Sequence, residues 1–121
     1  MVKTPLPGRK VRGSRTGRPI MALLDLLGRR WSLRVLWELH RGPRTFRALR
    51  SACDDMSPSV LNLRLSELKQ AGIVELTDEG YSLTASGRDL LRAFDPLNEW
   101  SHRSLWHKLI DSVAYLGHSQ L

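Results

Sequence analysis

Met-Ser-Pro-Ser-Val-Leu-Asn-Leu-Arg-Leu-Ser-Glu-Leu-Lys-Gln-Ala-Gly-Ile-Val, residues 56–74, reads as a helix carrying its own start and stop signals. Ser57 is a good N-cap, because its hydroxyl can accept a bond from an orphan amide of the first turn. Pro58 suits the first helical position, where a missing N–H costs nothing. Met56 and Leu61 stand at the positions of a hydrophobic staple. Gly72 closes the helix, and Ile73-Val74 opens a β-prone run. Leu61, Leu65 and Leu68 repeat at i, i+4, i+7 and form a buried stripe. At about 100° per residue, Ser59, Asn62, Leu63, Ser66 and Gln70 fall on the far face. That face is small, polar and nearly uncharged, whereas an ordinary solvated face carries Glu and Lys in quantity. It is shaped to lie against something, and a DNA major groove is the leading candidate.

The segments before this helix read as three more. From Pro19, Ile20-Met21-Ala22-Leu23-Leu24-Asp25-Leu26-Leu27 is apolar on most faces and must be buried by the core or by a second subunit. Ser32 is expected to cap the next helix, with Trp31 and Leu36 at staple positions, and Gly42-Pro43 ends it. Leu33, Leu36, Trp37 and Leu39 supply its apolar side. Thr45 caps a short third helix with Phe46 and Leu49 facing inward, and Arg44, Arg47 and Arg50 recur every three residues along one side. A short link then leads into the neutral-faced helix, as a helix-turn-helix requires. After Gly72, Ile73–Thr77 and Tyr81–Leu83 read as strands of a hairpin turning at Asp78-Glu79-Gly80. Thr84 caps a helix that stops near Pro96, and residues 97–116 form a last helix with a wide apolar stripe. The fold class is therefore mainly α with a small two-stranded hairpin, a winged helix-turn-helix.

Charge is distributed unevenly. Residues 1–18 hold Lys3, Arg9, Lys10, Arg12, Arg15 and Arg18 with no acid, out of a net charge of +7 for the chain. Their Pro and Gly content, with few large apolar residues, predicts a flexible basic arm. Such clustering suits nucleic acid, an anionic membrane surface or simple solvation, and charge alone leaves these open. The 121-residue length suits one domain, with the arm at 1–18, the winged helix at 19–96 and a dimerisation helix at 97–121. No apolar run approaches the roughly 20 residues of a membrane span, and no signal-peptide segment is expected. The lone Cys53 suits a reducing compartment, so a cytoplasmic location is expected. His102 and His107 lie on different faces of a helix, and no paired carboxylates, nucleophile–base set or phosphate-cradling loop occurs. Enzymatic activity, a metal and a cofactor are not expected.

The residues resemble the HxlR family of bacterial transcription regulators. The parallels are Pro19-Ile20 with Ala22 to Gly28, Arg30-Trp31-Ser32, and Gly42-Pro43-Arg44 with Phe46. They continue through Ser57-Pro58, Val60-Leu61, Arg64-Leu65, Glu67-Leu68 and Ala71 to Val74, then Tyr81-Ser82-Leu83-Thr84, Gly87 and Trp100. The resemblance covers about residues 19–100. It implies a homodimer on pseudo-palindromic double-stranded operators that represses or activates nearby genes, and it leaves a small-molecule effector open. Many members carry a cysteine just before the Pro-Ile pair, and some sense oxidants with it. Arg18 stands there in this chain, so thiol sensing by that route is not expected. The wing is short and its tip carries Asp78 and Glu79, and Leu63 takes a place where polar residues such as Gln are common.

Ser59, Asn62 and Leu63 would read bases: Asn62 an adenine edge, Leu63 a thymine methyl. Ser57, Arg44, Arg47 and Arg64, with Arg9, Lys10, Arg12 and Arg15 of the arm, would hold the DNA backbone. Arg64 sits on the flank and could instead brace Glu67 or the wing. The first and last helices, through Leu23, Leu27, Trp106, Ile110 and Val113, would make the dimer. The rival reading is a winged-helix module that holds a protein partner and binds DNA only non-specifically.

Overall fold

In the computed structural model of the chain, the helix with the leucine stripe is α4, Pro58–Gln70. The structure describes residues 3–103, 108–109 and 112–113. Leu61, Leu65 and Leu68 are buried to within 1% of full exclusion, as their spacing requires. The helix ends in a Schellman closure: the Gly72 N–H donates to Lys69 O at 3.0 Å and the Ile73 N–H to Leu68 O at 3.0 Å. Gly72, at φ +76°, occupies the left-handed position that this closure needs. Ser57 stands at the N-cap, yet its hydroxyl makes no capping bond and pairs with Ser59 Oγ at 3.0 Å instead.

Ahead of α4 come α1 (Pro19–Leu27), α2 (Ser32–Leu39) and α3 (Phe46–Ala52). Thr45 caps α3 as expected, its Oγ1 accepting from the Ala48 N–H at 3.1 Å. Ser32 does not cap α2. The cap is Trp31 in the left-handed conformation, and Ser32 is the first helical residue, fully buried. Val35, Leu36 and Leu39 form the inner face of α2, while Leu33 and Trp37 stay 47% and 40% exposed. The broad apolar surface of α1 divides likewise: Ala22, Leu26 and Leu27 enter the core, and Ile20 and Leu24 face outward.

The α3–α4 link turns through Asp54 and Asp55, both left-handed at φ +57° and +55°, a conformation that Asp tolerates better than most residues. Arg50 pins this turn, with Nε donating to Met56 O at 2.7 Å. Arg34 reaches across from α2 to Ala52 O at 2.9 Å. The angle between α3 and α4 is thus set by arginines bonded to backbone carbonyls.

Strands β1 (Val74–Thr77) and β2 (Gly80–Leu83) pair antiparallel, with Val74 opposite Leu83 and Thr77 opposite Gly80. Arg44 adds a short third rung, its backbone exchanging hydrogen bonds with Tyr81 at 2.9 and 2.7 Å. Helix α5 (Ala85–Arg92) starts at Thr84, whose Oγ1 accepts from the Gly87 N–H at 3.0 Å. Helix α6 (Asp95–Arg103) begins one residue ahead of Pro96, so that proline opens a helix rather than stopping one. The chain divides into two compact units, 1–89 and 90–121. The first holds the helix-turn-helix and the wing. The second holds α6, where Leu97 and Trp100 are exposed.

The basic segment, residues 3–18, folds back on itself and is bonded to its surroundings. Val11 and Ser14 exchange backbone bonds at 2.9 and 3.1 Å, and the Gly8 N–H donates to Gly17 O at 3.0 Å. Gly17 is what lets the segment fold back on itself. Its φ is +70°, and a Cβ there would come within 2.1 Å of Arg9 O. The segment is tied down by the Arg12 N–H donating to Asp25 Oδ2 at 3.1 Å and by Arg29 Nη2 donating to Lys3 O at 2.9 Å. These two anchors come from residues outside the segment, which its composition does not report.

Candidate nucleic-acid interface

Because its leucine stripe is buried, α4 turns Ser59, Asn62, Leu63, Ser66 and Gln70 to solvent, all exposed. Leu63 is 52% exposed, a large apolar side chain in a face otherwise made of small polar groups. Ser57, just before the helix, is exposed as well. Ser59, Asn62 and Leu63 are thus presented on one outward surface, where the Asn62 amide and the Ser59 hydroxyl, itself paired with Ser57 Oγ, are groups that can bond base edges.

The cations divide into those held by the protein and those left to solvent. Arg64 is held: its Nε donates to Arg30 O at 2.7 Å and its Nη1 to Glu67 Oε1 at 2.8 Å. It acts as a brace inside the domain through these two nitrogens, and its Nη2 makes no bond among the described residues. Glu67, 3% exposed, is clamped from the other side by Arg29 Nη1. A buried carboxylate needs such paired donors, since an isolated one would be strongly disfavoured. The Arg64–Glu67 bond is the brace that the sequence offered as one alternative for Arg64, whereas the Arg29 side of the clamp, 38 positions away, has no local signal.

Arg44 is half-buried and spends its Nε on Glu38 O at 3.0 Å, leaving its terminal nitrogens uncommitted among the described residues. Arg50 is spent on the turn. Arg47 is exposed, and its side chain makes no hydrogen bond or ion pair among the described residues. In the basic segment Lys10, Arg12 and Arg15 are exposed and Arg9 is half-buried. The wing tip presents Asp78 and Glu79 to solvent, its turn fixed by Thr77 Oγ1 donating to Gly80 O at 2.9 Å. Glu79 and Arg44 line one shallow groove of about 340 Å³, so the tip carries its negative charge beside this cation.

Of the side chains expected at a dimer interface, Leu27 is 7% exposed and belongs to the core of its own unit. Leu23 is half-buried and Val113 is 71% exposed; Trp106 and Ile110 lie outside the described residues. Cys53 is buried at the start of the turn, and burial pushes its thiol up, with Arg34 opposing this and Glu38 and Asp54 adding to it. Among the described residues no cluster of His, Cys, Asp and Glu could hold a metal ion, and no helix is long and apolar enough to cross a membrane.

This arrangement has close counterparts among known proteins. The family model of the HxlR-like helix-turn-helix matches residues 26–108. The HTH-type transcriptional regulator sll1512 of Synechocystis is 39% identical over 79 residues, 60% of this chain and 58% of that protein. The HTH-type transcriptional regulator YodB of Bacillus subtilis is 32% identical over 84 residues, 64% of this chain and 75% of that one. The crystal structure of quinone-bound YodB superposes with a TM-score of 0.65 at 30% identity, covering 70% of this chain and 97% of that one.

Proposed function

This chain belongs to the HxlR-like helix-turn-helix family of DNA-binding transcription regulators, and from that premise we propose that it works as a homodimer on a pseudo-palindromic operator. Helix α4 enters the major groove, where Asn62 pairs with a base edge, Ser59 bonds a neighbour and Leu63 packs on a thymine methyl. Ser57, Arg44 and Arg47 hold the phosphates on one side, and Arg9, Lys10, Arg12 and Arg15 those on the other. The observation that supports this reading best is the outward face of α4: exposed, uncharged, and backed by a fully buried leucine stripe. An ordinary solvated helix face carries Glu and Lys in quantity, and this one carries neither.

The dimer forms through the outward side of α1, Ile20 and Leu24 beside Leu23. Two-fold symmetry then places two copies of α4 on half-sites about one helical turn, roughly 34–36 Å, apart. The protein acts in the cytoplasm and carries no enzymatic activity. Fluorescence anisotropy with duplex DNA from upstream of its own gene, against a random duplex, tests the reading. Specific binding is typically about 10³-fold or more tighter than non-specific binding. Weak binding indifferent to sequence would instead favour a protein-interaction module.

A further inference from the structure

A cleft of about 810 Å³ opens between the basic segment, the α1–α2 corner and the outer face of α4. Its floor is apolar or nearly so, made by Thr4, Pro5 and Val11, all buried. Lys3, Arg9, Lys10 and Arg12 line it, and none of their side-chain nitrogens forms an ion pair with a carboxylate among the described residues. The carboxylate that lines it, Asp25, already accepts the Arg12 N–H at 3.1 Å. A cleft of this size falls within the range of ligand pockets, roughly 300–1,000 Å³. An apolar floor beneath unpaired cations suits a ligand with a flat or aliphatic body and an anionic head.

The remaining wall is what gives such a ligand a consequence. It is formed by Arg29, Leu63 and Arg64. Leu63 belongs to the outward face of α4, so an occupant touches the surface offered to DNA. Arg29 and Arg64 are also the two clamps of the buried Glu67 on that same helix. Arg29 in addition holds Lys3 O, which fixes the basic segment. An anion that draws on either guanidinium competes with Glu67, and the position of α4 and the segment then respond together.

We propose that this cleft is a binding site for a small organic anion, an apolar body bearing a carboxylate or phosphate, and that its occupation changes the affinity of α4 for DNA. The second half rests on the DNA-binding reading above. The first half does not. Linkage makes the coupling reciprocal: whatever factor the anion imposes on DNA binding, DNA imposes on the anion.

The test uses the full chain with naphthoate as the probe, by isothermal titration calorimetry, and naphthol and sulfate as comparisons. Naphthoate is expected to bind about tenfold or more tightly than neutral naphthol, the scale of one charge-assisted contact. The exposed rim variant Lys10→Gln/Arg12→Gln is expected to weaken naphthoate by a similar factor while keeping the wild-type circular dichroism spectrum. Naphthoate binding equally to both proteins, or not at all, would overturn the site. Sulfate binding as tightly as naphthoate would also overturn it, since the cleft would then be a seat for backbone phosphate alone. Anisotropy on duplex DNA with and without saturating naphthoate reads the coupling, expected at about fivefold or more in either direction. An unmoved DNA affinity with naphthoate bound would overturn the regulatory half. Absence of DNA binding even without the probe would fail the earlier reading and leave the calorimetric result standing.

Discussion

Asn62 carries the sequence-specific contact that matters most in this reading, because an amide can both donate to and accept from an adenine edge. Asn62→Ala is expected to cost about 1–3 kcal/mol on the cognate site and little on random DNA, since phosphate contacts carry no sequence information. Anisotropy titrations on both duplexes check this, and an equal loss on each would show that the outer face reads no bases. Cys53 poses a different question at the same scale. Its thiol is buried and raised, first by desolvation, so the folded state favours the protonated form. The stability it contributes is present below the unfolded thiol's value of about 8.5 and lost as pH rises beyond it. Urea midpoints measured at neutral and alkaline pH should therefore fall more for the wild type than for Cys53→Ala. The native thiol should also alkylate slowly until the protein unfolds.

At the scale of elements, the Glu67 clamp ties α4 to the α1–α2 corner in addition to its buried leucine stripe. Glu67→Ala would leave Arg29 and Arg64 facing each other with no anion between them. Removing one partner from a buried ion pair costs roughly 3–5 kcal/mol. Here the two guanidiniums keep 16% and 15% exposure, so a loss somewhat below that range is expected in urea unfolding. Helix α5 is joined to the wing by closer contact still. A Cβ on Gly87 would meet Ile73 O at 2.2 Å and Ile73 Cγ2 at 3.2 Å. The same carbonyl accepts the Thr84 N–H at 3.0 Å, so it cannot retreat without breaking the start of α5. Gly87→Ala should therefore destabilise by about 1–3 kcal/mol, visible as a lower thermal midpoint, although alanine is the better helix former.

For the whole molecule the decisive quantity is oligomeric state. Ile20 and Leu24 are 58% and 54% exposed on one side of α1, where a monomer gains nothing from them. The double variant Ile20→Glu/Leu24→Glu should sediment as a soluble monomer. It should also bind a two-half-site operator far more weakly than one half-site arithmetic suggests, because the second contact is no longer intramolecular. A sedimentation coefficient identical to that of the wild-type protein would place the interface elsewhere.

What the sequence determined by itself is everything governed by neighbours along the chain. Leucine spacing defined α4 and its outward face, Thr45 and Thr84 marked the caps they make, and Gly72 marked the left-handed close of the reading helix. These depend on residues within about one or two helical turns, so pattern suffices. The Arg29–Glu67 and Arg64–Arg30 bonds join residues 38 and 34 positions apart, and no local period encodes them. The same holds for the Arg44–Tyr81 rung, for the folded basic segment, and for the sorting of α1 into a buried Leu27 and an exposed Leu24. Hydrophobicity says that a side chain seeks cover; only the packed neighbours decide whether its own unit supplies it. For a guanidinium the tertiary structure likewise decides between brace and contact, because that depends on which carbonyl or carboxylate the fold brings within reach.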